Sequence, residues 1–276
     1  VRSSQAAFDL IVKEEVSSEA VYRKKYQRPE WPGVNSGATV GIGYDLGQTN
    51  AATIQNDWKA YVSGPMLVAM VGATGKTGQA GKAATSAIRN KVLIPWEDAI
   101  AVHKESVVPR WEARLAKSLP NTDKLHPDCF GALLSLIFNR GTSFNSSGER
   151  YKEMRAIKEH MRSQNFAAIP TEFRRMKRIW PGVPGLQGRR EREAKLFEKG
   201  LKAKPVSNPV RVPVPEKPET KPAIQSKEIW ATIGTILTTI LGVVTDWRVL
   251  SVLVVGFGLF AIYWRFNKDD IRGWFS

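Results

Sequence analysis

Glu14-Glu15 and, about two dozen residues later, Ser36-Gly-Ala-Thr-Val-Gly-Ile-Gly-Tyr-Asp-Leu-Gly47 hold the residue types that acid/base chemistry needs. Four glycines alternate there with small or β-branched residues, and glycine at that density weakens both a helix and a packed strand. Such a stretch brings backbone close to something while aiming Thr39, Tyr44 and Asp45 at one place; standing alone it would read as a plain β-hairpin. A glutamate packed at the end of an apolar helix has its pKa raised by desolvation, as an acid at neutral pH requires. Asp45, in an open glycine loop, is expected to stay ionised, and the Thr39 hydroxyl can hold a water. A protonated acid, a separate carboxylate base and a held water are the parts of glycoside hydrolysis with inversion. Any one carboxylate taken at random is ordinarily a solvated surface charge, so only the set points to chemistry.

These side chains need a scaffold. Ser3 and Ser4 can cap a first helix running to about Glu15, with Ala7, Phe8, Leu10, Ile11 and Val12 on its apolar face. Val16-Ser-Ser18 then weakens the helix and leaves both glutamates at its C-terminal end. Tyr22 to Tyr26 is basic and reads as strand-like, and Pro29, Pro32 and Gly33 enforce turns before the glycine-rich hairpin. Asn50 to Val62 reads as a helix and Ser63 to Asn90 as short helices. Within the latter, Gly72-Ala-Thr-Gly-Lys-Thr77 is not a phosphate loop, because Met70 stands where the first glycine belongs and no β-rich run precedes it. The dinucleotide pattern fails at Gly41-Ile-Gly43, where Leu46 replaces the third glycine.

Pro95 opens a helix over Trp96 to Lys117 that Pro109 should kink or break. Asp128 to Asn139 is almost wholly apolar, which predicts a buried central helix with Gly141 as its C-cap. Glu149 to Ser163 and Pro170 to Ile179 predict amphipathic helices. Trp180-Pro-Gly-Val-Pro-Gly185 predicts a rigid turn, and Leu186 to Leu201 a basic closing helix. The expected fold class is α+β, mostly α: a small β-hairpin lobe and a helical lobe over residues 1–201.

At 276 residues, with 42% hydrophobic and 24% charged side chains, the chain has an ordinary globular composition. Its net charge of +15 calls for an anionic partner: nucleic acid, an acidic membrane or a wall polymer. The lone Cys129 rules out an intrachain disulfide and, in its apolar run, reads as a small buried residue. His103, His126 and His160 are scattered singles without metal-ligand spacing, which reads as surface or helix-face histidines and no metal site. Val1 to Ala20 mixes charges into an amphipathic pattern and does not read as a secretory signal. Residues 202–228 repeat proline among lysines, a semi-extended linker. Ile229 to Thr245 and Val249 to Trp264 then run 17 and 16 residues without a charge, with Trp230, Trp247, Tyr263 and Trp264 near their ends. Following a linker, with no core to join, they read as a transmembrane helical hairpin over residues 229–266, ahead of a short charged tail at 267–276.

The motifs resemble a known class. Glu15-Val-Ser-Ser18, Tyr22, Pro29-Glu-Trp-Pro-Gly33 and Ser36 to Gly47 are similar to the muramidases of the tailed-phage lysozyme class, and most to the pesticin-like branch found in phages, prophages and bacterial toxins. Ile94-Pro-Trp-Glu-Asp-Ala99, Leu136-Ile-Phe-Asn-Arg-Gly141 and Gly188-Arg-Arg-Glu-Arg-Glu-Ala194 resemble its connecting, central and closing helices. The resemblance covers roughly residues 1–201 and implies a lysozyme-like fold. It also implies hydrolysis of the β-1,4 bond between N-acetylmuramic acid and N-acetylglucosamine, with no cofactor. Carried over by motif, the catalytic residues are Glu15 as acid, Thr39 as water holder and Asp45 as base. Glu14 is the rival acid, which helix geometry alone does not separate from its neighbour. The phage enzymes outside this branch place their aspartate before the threonine and a histidine where Tyr44 stands. The resemblance implies that Tyr44, Phe138, Asn139 and Arg189 line the substrate cleft.

Three other readings compete. The charge permits nucleic-acid binding, although no reading motif is present and no specific nucleic-acid partner is expected. A degenerate wall-binding module and a holin-like membrane protein are the others. Lysines and arginines flank both ends of the apolar hairpin against Arg248 alone in its turn, which by the positive-inside rule puts both termini in the cytoplasm. The expected setting is the bacterial inner membrane, with a domain released onto peptidoglycan at phage lysis, or a virion-borne or toxin muramidase delivered to the wall.

Overall fold

A computed structural model describes residues 2–203; the expected linker from residue 204 on and both apolar segments expected to span a membrane lie outside the described residues. Every described element belongs to one compact unit, residues 1–207.

The Ser4 hydroxyl accepts from the Ala7 N–H and so starts α1 (Gln5–Val16), which buries Ala7, Phe8, Ile11, Val12 and Val16. The helix ends at Ser17, whose φ of 68° leaves the helical region. A second helix, α2 (Glu19–Lys25), follows directly, capped by Ser18. The strand-like expectation for Tyr22 to Tyr26 is therefore overturned. A serine cap, Glu19 in the first turn and three basic residues in the last all favour a helix through its end charges. Only Tyr22 turns fully inward, its hydroxyl donating to the Ile94 carbonyl.

Strands β1 (Thr39–Val40) and β2 (Tyr44–Asp45) pair antiparallel, with Thr39 opposite Asp45 and Val40 opposite Tyr44. Gly41 and Gly43, at φ of +56° and +68°, make the turn between them. Helices α3 (Ala51–Trp58), α4 (Gly64–Val71) and α5 (Gly78–Ile88) follow. Asn50 is the cap of α3 rather than its first residue, and the helix stops four residues short of the expected Val62.

Pro109 does not break the helix as expected: the chain stays helical from Trp96 to Ser118, with one π turn ahead of the proline. Lacking an N–H, it cannot continue the ladder. Between α6 (Trp96–Val102) and α7 (Val108–Ser118) the chain widens into one π turn, His103–Val107, and the Val108 N–H reaches back to the His103 carbonyl. The central helix α8 (Pro127–Arg140) buries every residue from 128 to 137, and Gly141 ends it at a φ of 64°. Helices α9 (Lys152–Arg162), α10 (Ile169–Arg175) and α11 (Pro184–Lys202) complete the described chain.

Helix α8 is the centre of the packing. A Cβ on Gly131 would lie 2.1 Å from the Ala7 Cβ, so α1 crosses α8 at van der Waals distance there. A Cβ on Gly200 would lie 2.5 Å from the Cys129 Sγ, so α11 is equally close on another side. Cys129 is buried as expected, its thiol donating to the Phe197 carbonyl. Glu112 of α7, nearly buried, accepts from the Arg2 and Ser3 N–H groups and the Ser3 hydroxyl, which pins the start of α1. Among the described residues the fold is α+β, mostly α, with one two-stranded sheet. No helix among them is long and apolar enough to cross a membrane.

Candidate active site

The end of α1, the hairpin turn and α11 meet at Glu15. One carboxylate oxygen, Oε2, lies 3.3 Å from where a Cβ on Gly43 would stand, so the carboxyl rests against the hairpin turn. The other, Oε1, is 3.3 Å from Nη1 of Arg189. Burial pushes the Glu15 carboxyl above its ordinary value; the Arg189 charge opposes this, and the neighbouring Glu14 adds to it. The side chain keeps 25% of its surface, so it is desolvated yet reachable.

Glu14, one residue back, points elsewhere. Neighbours on a helix differ by about 100° in direction. Arg192 donates to both Glu14 oxygens, at 2.5 and 3.1 Å, a forked pair of the kind guanidinium and carboxylate favour. Arg189 and Arg192 stand three apart on α11, hence on one face, and each takes one of the two glutamates. A cavity of about 420 Å³ opens beside them, lined by Lys13, Glu14, Ser17, Leu186, Arg189 and Arg192 among others.

Arg189 is itself held from behind. Its Nη2 donates to the Ser135 carbonyl at 2.9 Å, and its Nε approaches Glu193 at 3.3 Å. Glu193 is fully buried and also accepts from the Ser135 hydroxyl at 2.7 Å and from Arg190 at 2.8 Å. Burial raises the Glu193 carboxyl against the pull of both guanidiniums. Breaking a buried pair by removing one partner typically costs about 3–5 kcal/mol, so this network fixes where Arg189 can sit.

The hairpin register sorts the other expected residues. Cross-strand partners share a face, so Thr39 and Asp45 lie together on one side, and Val40 and Tyr44 on the other. The second face is core: Val40 and Tyr44 are buried. The Tyr44 hydroxyl donates to Asp57 at 2.7 Å, and its ring meets Trp58 edge-on. Asp57 also takes Arg110 at 2.7 Å. Tyr44, expected at the substrate, is thus turned inward by strand alternation, where desolvation and Asp57 push its phenol well above the ordinary value.

On the first face, the Asp45 carboxylate accepts from the Gly37 N–H, at 3.0 Å to Oδ2, and from the Gln48 N–H at 3.1 Å. A Cβ on Gly37 would lie 2.5 Å from both Oδ1 of Asp45 and the Gly47 Cα, so glycine is required there by the carboxylate and the Gly47 backbone together. The Thr39 hydroxyl has a weak contact, 3.5 Å, to the Gly37 carbonyl and is otherwise free of protein partners among the described residues.

The remaining expected residues divide. Phe138 is half-buried, stacked on Trp111 with 4.9 Å between centroids and 5.6 Å from the His103 ring, which makes it packing more than lining. Asn139 is exposed at the end of α8. His103, expected on a surface or helix face, is 1% exposed, and burial pulls its pKa down to about 4. Of the other histidines, His126 caps α8, its Nδ1 accepting from the Asp128 N–H, and His160 lies 3.9 Å from Glu172.

Sequence reasoning missed Arg192, Ser135, Glu193 and the Asp57–Arg110 pair. The spacing Arg189 to Glu193 is a helical i, i+4 pair and was readable as such; that the pair is buried was not. Among the described residues no group of three or more His, Cys, Asp or Glu side chains is placed to hold a metal ion. No family model and no curated protein matches this chain.

Proposed function

We propose that residues 1–201 form a lysozyme-like muramidase that hydrolyses the β-1,4 bond between N-acetylmuramic acid and N-acetylglucosamine in peptidoglycan. The observation that carries this reading is Glu15, a desolvated carboxyl with a raised pKa, set between Arg189 and a glycine turn whose strands present Thr39 and Asp45 on one face. A raised pKa favours the protonated form of Glu15, which gives its proton to the glycosidic oxygen as the bond to the muramic acid C1 breaks. Asp45 takes a proton from a water held by the Thr39 hydroxyl, and the water oxygen attacks C1 from the opposite face. Glu15 is left as a carboxylate that Arg189 steadies. The new reducing end has inverted configuration.

In this reading residues 202–228 are a tether and residues 229–266 an inner-membrane anchor. The setting is then phage or prophage lysis, with the wall as the anionic partner that a charge of +15 favours.

One observation favours a second reading. The Asp45 carboxylate already accepts from Gly37 and Gln48, which would suit a loop brace in a wall-binding module without turnover. Glu15→Gln and Asp45→Asn, assayed for release of soluble fragments from purified peptidoglycan, separate the two. The muramidase reading expects both to lose activity while still binding the wall. Full activity in both overturns it, and wall binding by an inactive wild-type chain supports the module.

A further inference from the structure

Between α7, the loop after α8, and α9 lies a cavity of about 680 Å³, lined in part by Trp111, Arg114, Lys117, Thr142, Asn145 and Lys158. Trp111, Arg114 and Lys117 recur every three residues and so share a face of α7. The Arg114 guanidinium lies 4.9 Å from the Trp111 ring centroid, and Lys158 Nζ donates to Asn145 Oδ1 at 2.5 Å. None of the three cations is in an ion pair among the described residues. The contrast with the neighbouring α10 region is plain, since Arg174, Arg175, Lys177 and Arg178 are all matched by glutamates.

Unmatched like charges around one concavity repel each other and lower their energy by taking an anion. The volume falls in the range of about 300–1,000 Å³ usual for small-molecule sites, more than a lone inorganic anion would fill. The Thr142 hydroxyl and the Asn145 amide N–H groups add partners for a ligand that has amide groups as well as charge. Trp111 stacks on Phe138, next to exposed Asn139, so the cavity adjoins the end of α8.

We infer that this cavity is a second subsite that takes the anionic stem peptide branching from the glycan, with its carboxylates on Arg114, Lys117 and Lys158 and its amides on Thr142 and Asn145. The identity of the ligand rests on the peptidoglycan reading above. A peptide carried on a glycan strand bound at Glu15 meets any site within its own reach at a high effective concentration, so a weak subsite suffices to raise kcat/KM on the intact wall.

The test is direct binding of the synthetic tetrapeptide L-Ala-D-isoglutamyl-meso-diaminopimelyl-D-Ala to the full-length chain in detergent, followed by calorimetry. The wild type and Glu15→Gln are expected to bind it alike. Lys117→Glu/Lys158→Glu is expected to weaken binding about tenfold or more, the loss of charge-assisted contacts. Should that variant unfold, Lys117→Ala/Lys158→Ala carries the same readout with a smaller loss. No binding to the wild type, equal binding by the charge variants, or binding of inorganic phosphate but not the peptide would each overturn the inference. A second arm compares hydrolysis of intact peptidoglycan with glycan stripped of peptide by an amidase. Slower cleavage of the stripped glycan by the wild type alone supports the subsite, and equal cleavage of both by every variant counts against it. Peptide binding with no cleavage of either substrate would remove the muramidase reading and leave the anionic-peptide site standing.

Discussion

His103 sits on the π turn between α6 and α7, its ring 5.8 Å from Phe8 and 5.6 Å from Phe138. The Ile42 backbone at the hairpin turn approaches the ring, but both ring nitrogens remain outside hydrogen-bond geometry with any described residue. Burial pulls the pKa from 6.5 to about 4. In the unfolded chain the imidazole takes its proton as the pH falls through about 6.5; in the folded chain it does so only near 4. The unfolded state therefore binds more protons between those values, and stability falls as the solution is acidified across that window. At roughly 1.4 kcal/mol per pH unit, the loss is about 3 kcal/mol, a large part of the usual total of about 5–15 kcal/mol. His103→Phe keeps a ring between the two phenylalanines and removes the titration. Urea unfolding of both chains at pH 7 and pH 4 isolates the effect, because any packing change from the substitution is common to both pH values. The wild type is expected to lose about 3 kcal/mol more than the variant. Equal losses would refute the placement of His103 as a buried neutral imidazole.

Tyr44→Phe removes the hydroxyl that donates to Asp57 but leaves Arg110 on that carboxylate; about 1.5–3 kcal/mol of stability should go, read as a lower urea midpoint, with wall hydrolysis per folded molecule unchanged. A collapse of activity at unchanged stability would place the phenol at the substrate. Glu14→Gln removes the charge from a side chain only 9% exposed but leaves an acceptor for the half-exposed Arg192, so it should cost about 1–3 kcal/mol of stability and keep most activity in a turbidity assay. Loss of activity in a folded Glu14→Gln chain would move the acid back one residue. Gly37→Ala drives a methyl to 2.5 Å from Asp45 and from Gly47 and should disrupt the loop and abolish hydrolysis. Gly64→Ala, with open space around it, should be neutral or stabilising by up to about 1 kcal/mol on the same measurements.

The legible parts of this fold were those set by local chemistry. Ser4 as a cap, the apolar run of α8 and Gly141 at its end follow from residue type and period, and the structure has them. Tyr22 to Tyr26 misled because two tyrosines bracket a basic run and aromatic side chains favour strands, whereas their i, i+4 spacing, the Ser18 cap and the end charges decide for a helix. The hairpin shows the limit at the candidate site. Its glycines marked close approach, but which partner each approaches depends on long-range packing: Trp58 for Gly41, Glu15 for Gly43, Asp45 for Gly37. Alternation alone would have put Tyr44 opposite Asp45 in direction, and knowing which face is core sends it to Asp57. The separation of Glu14 from Glu15 needed α11, some 175 residues away, because Arg192 and Arg189 divide the two carboxyls. No local pattern carries that information.

The central claim is that Glu15 acts as the acid in cleaving muramyl bonds. Its most direct test is digestion of purified, reduced peptidoglycan by the full-length chain, with the new reducing ends identified by mass spectrometry after a second reduction. New ends at N-acetylmuramic acid, absent with Glu15→Gln, are the predicted result. New ends at N-acetylglucosamine, or undiminished release of muramic acid ends by Glu15→Gln, would contradict it.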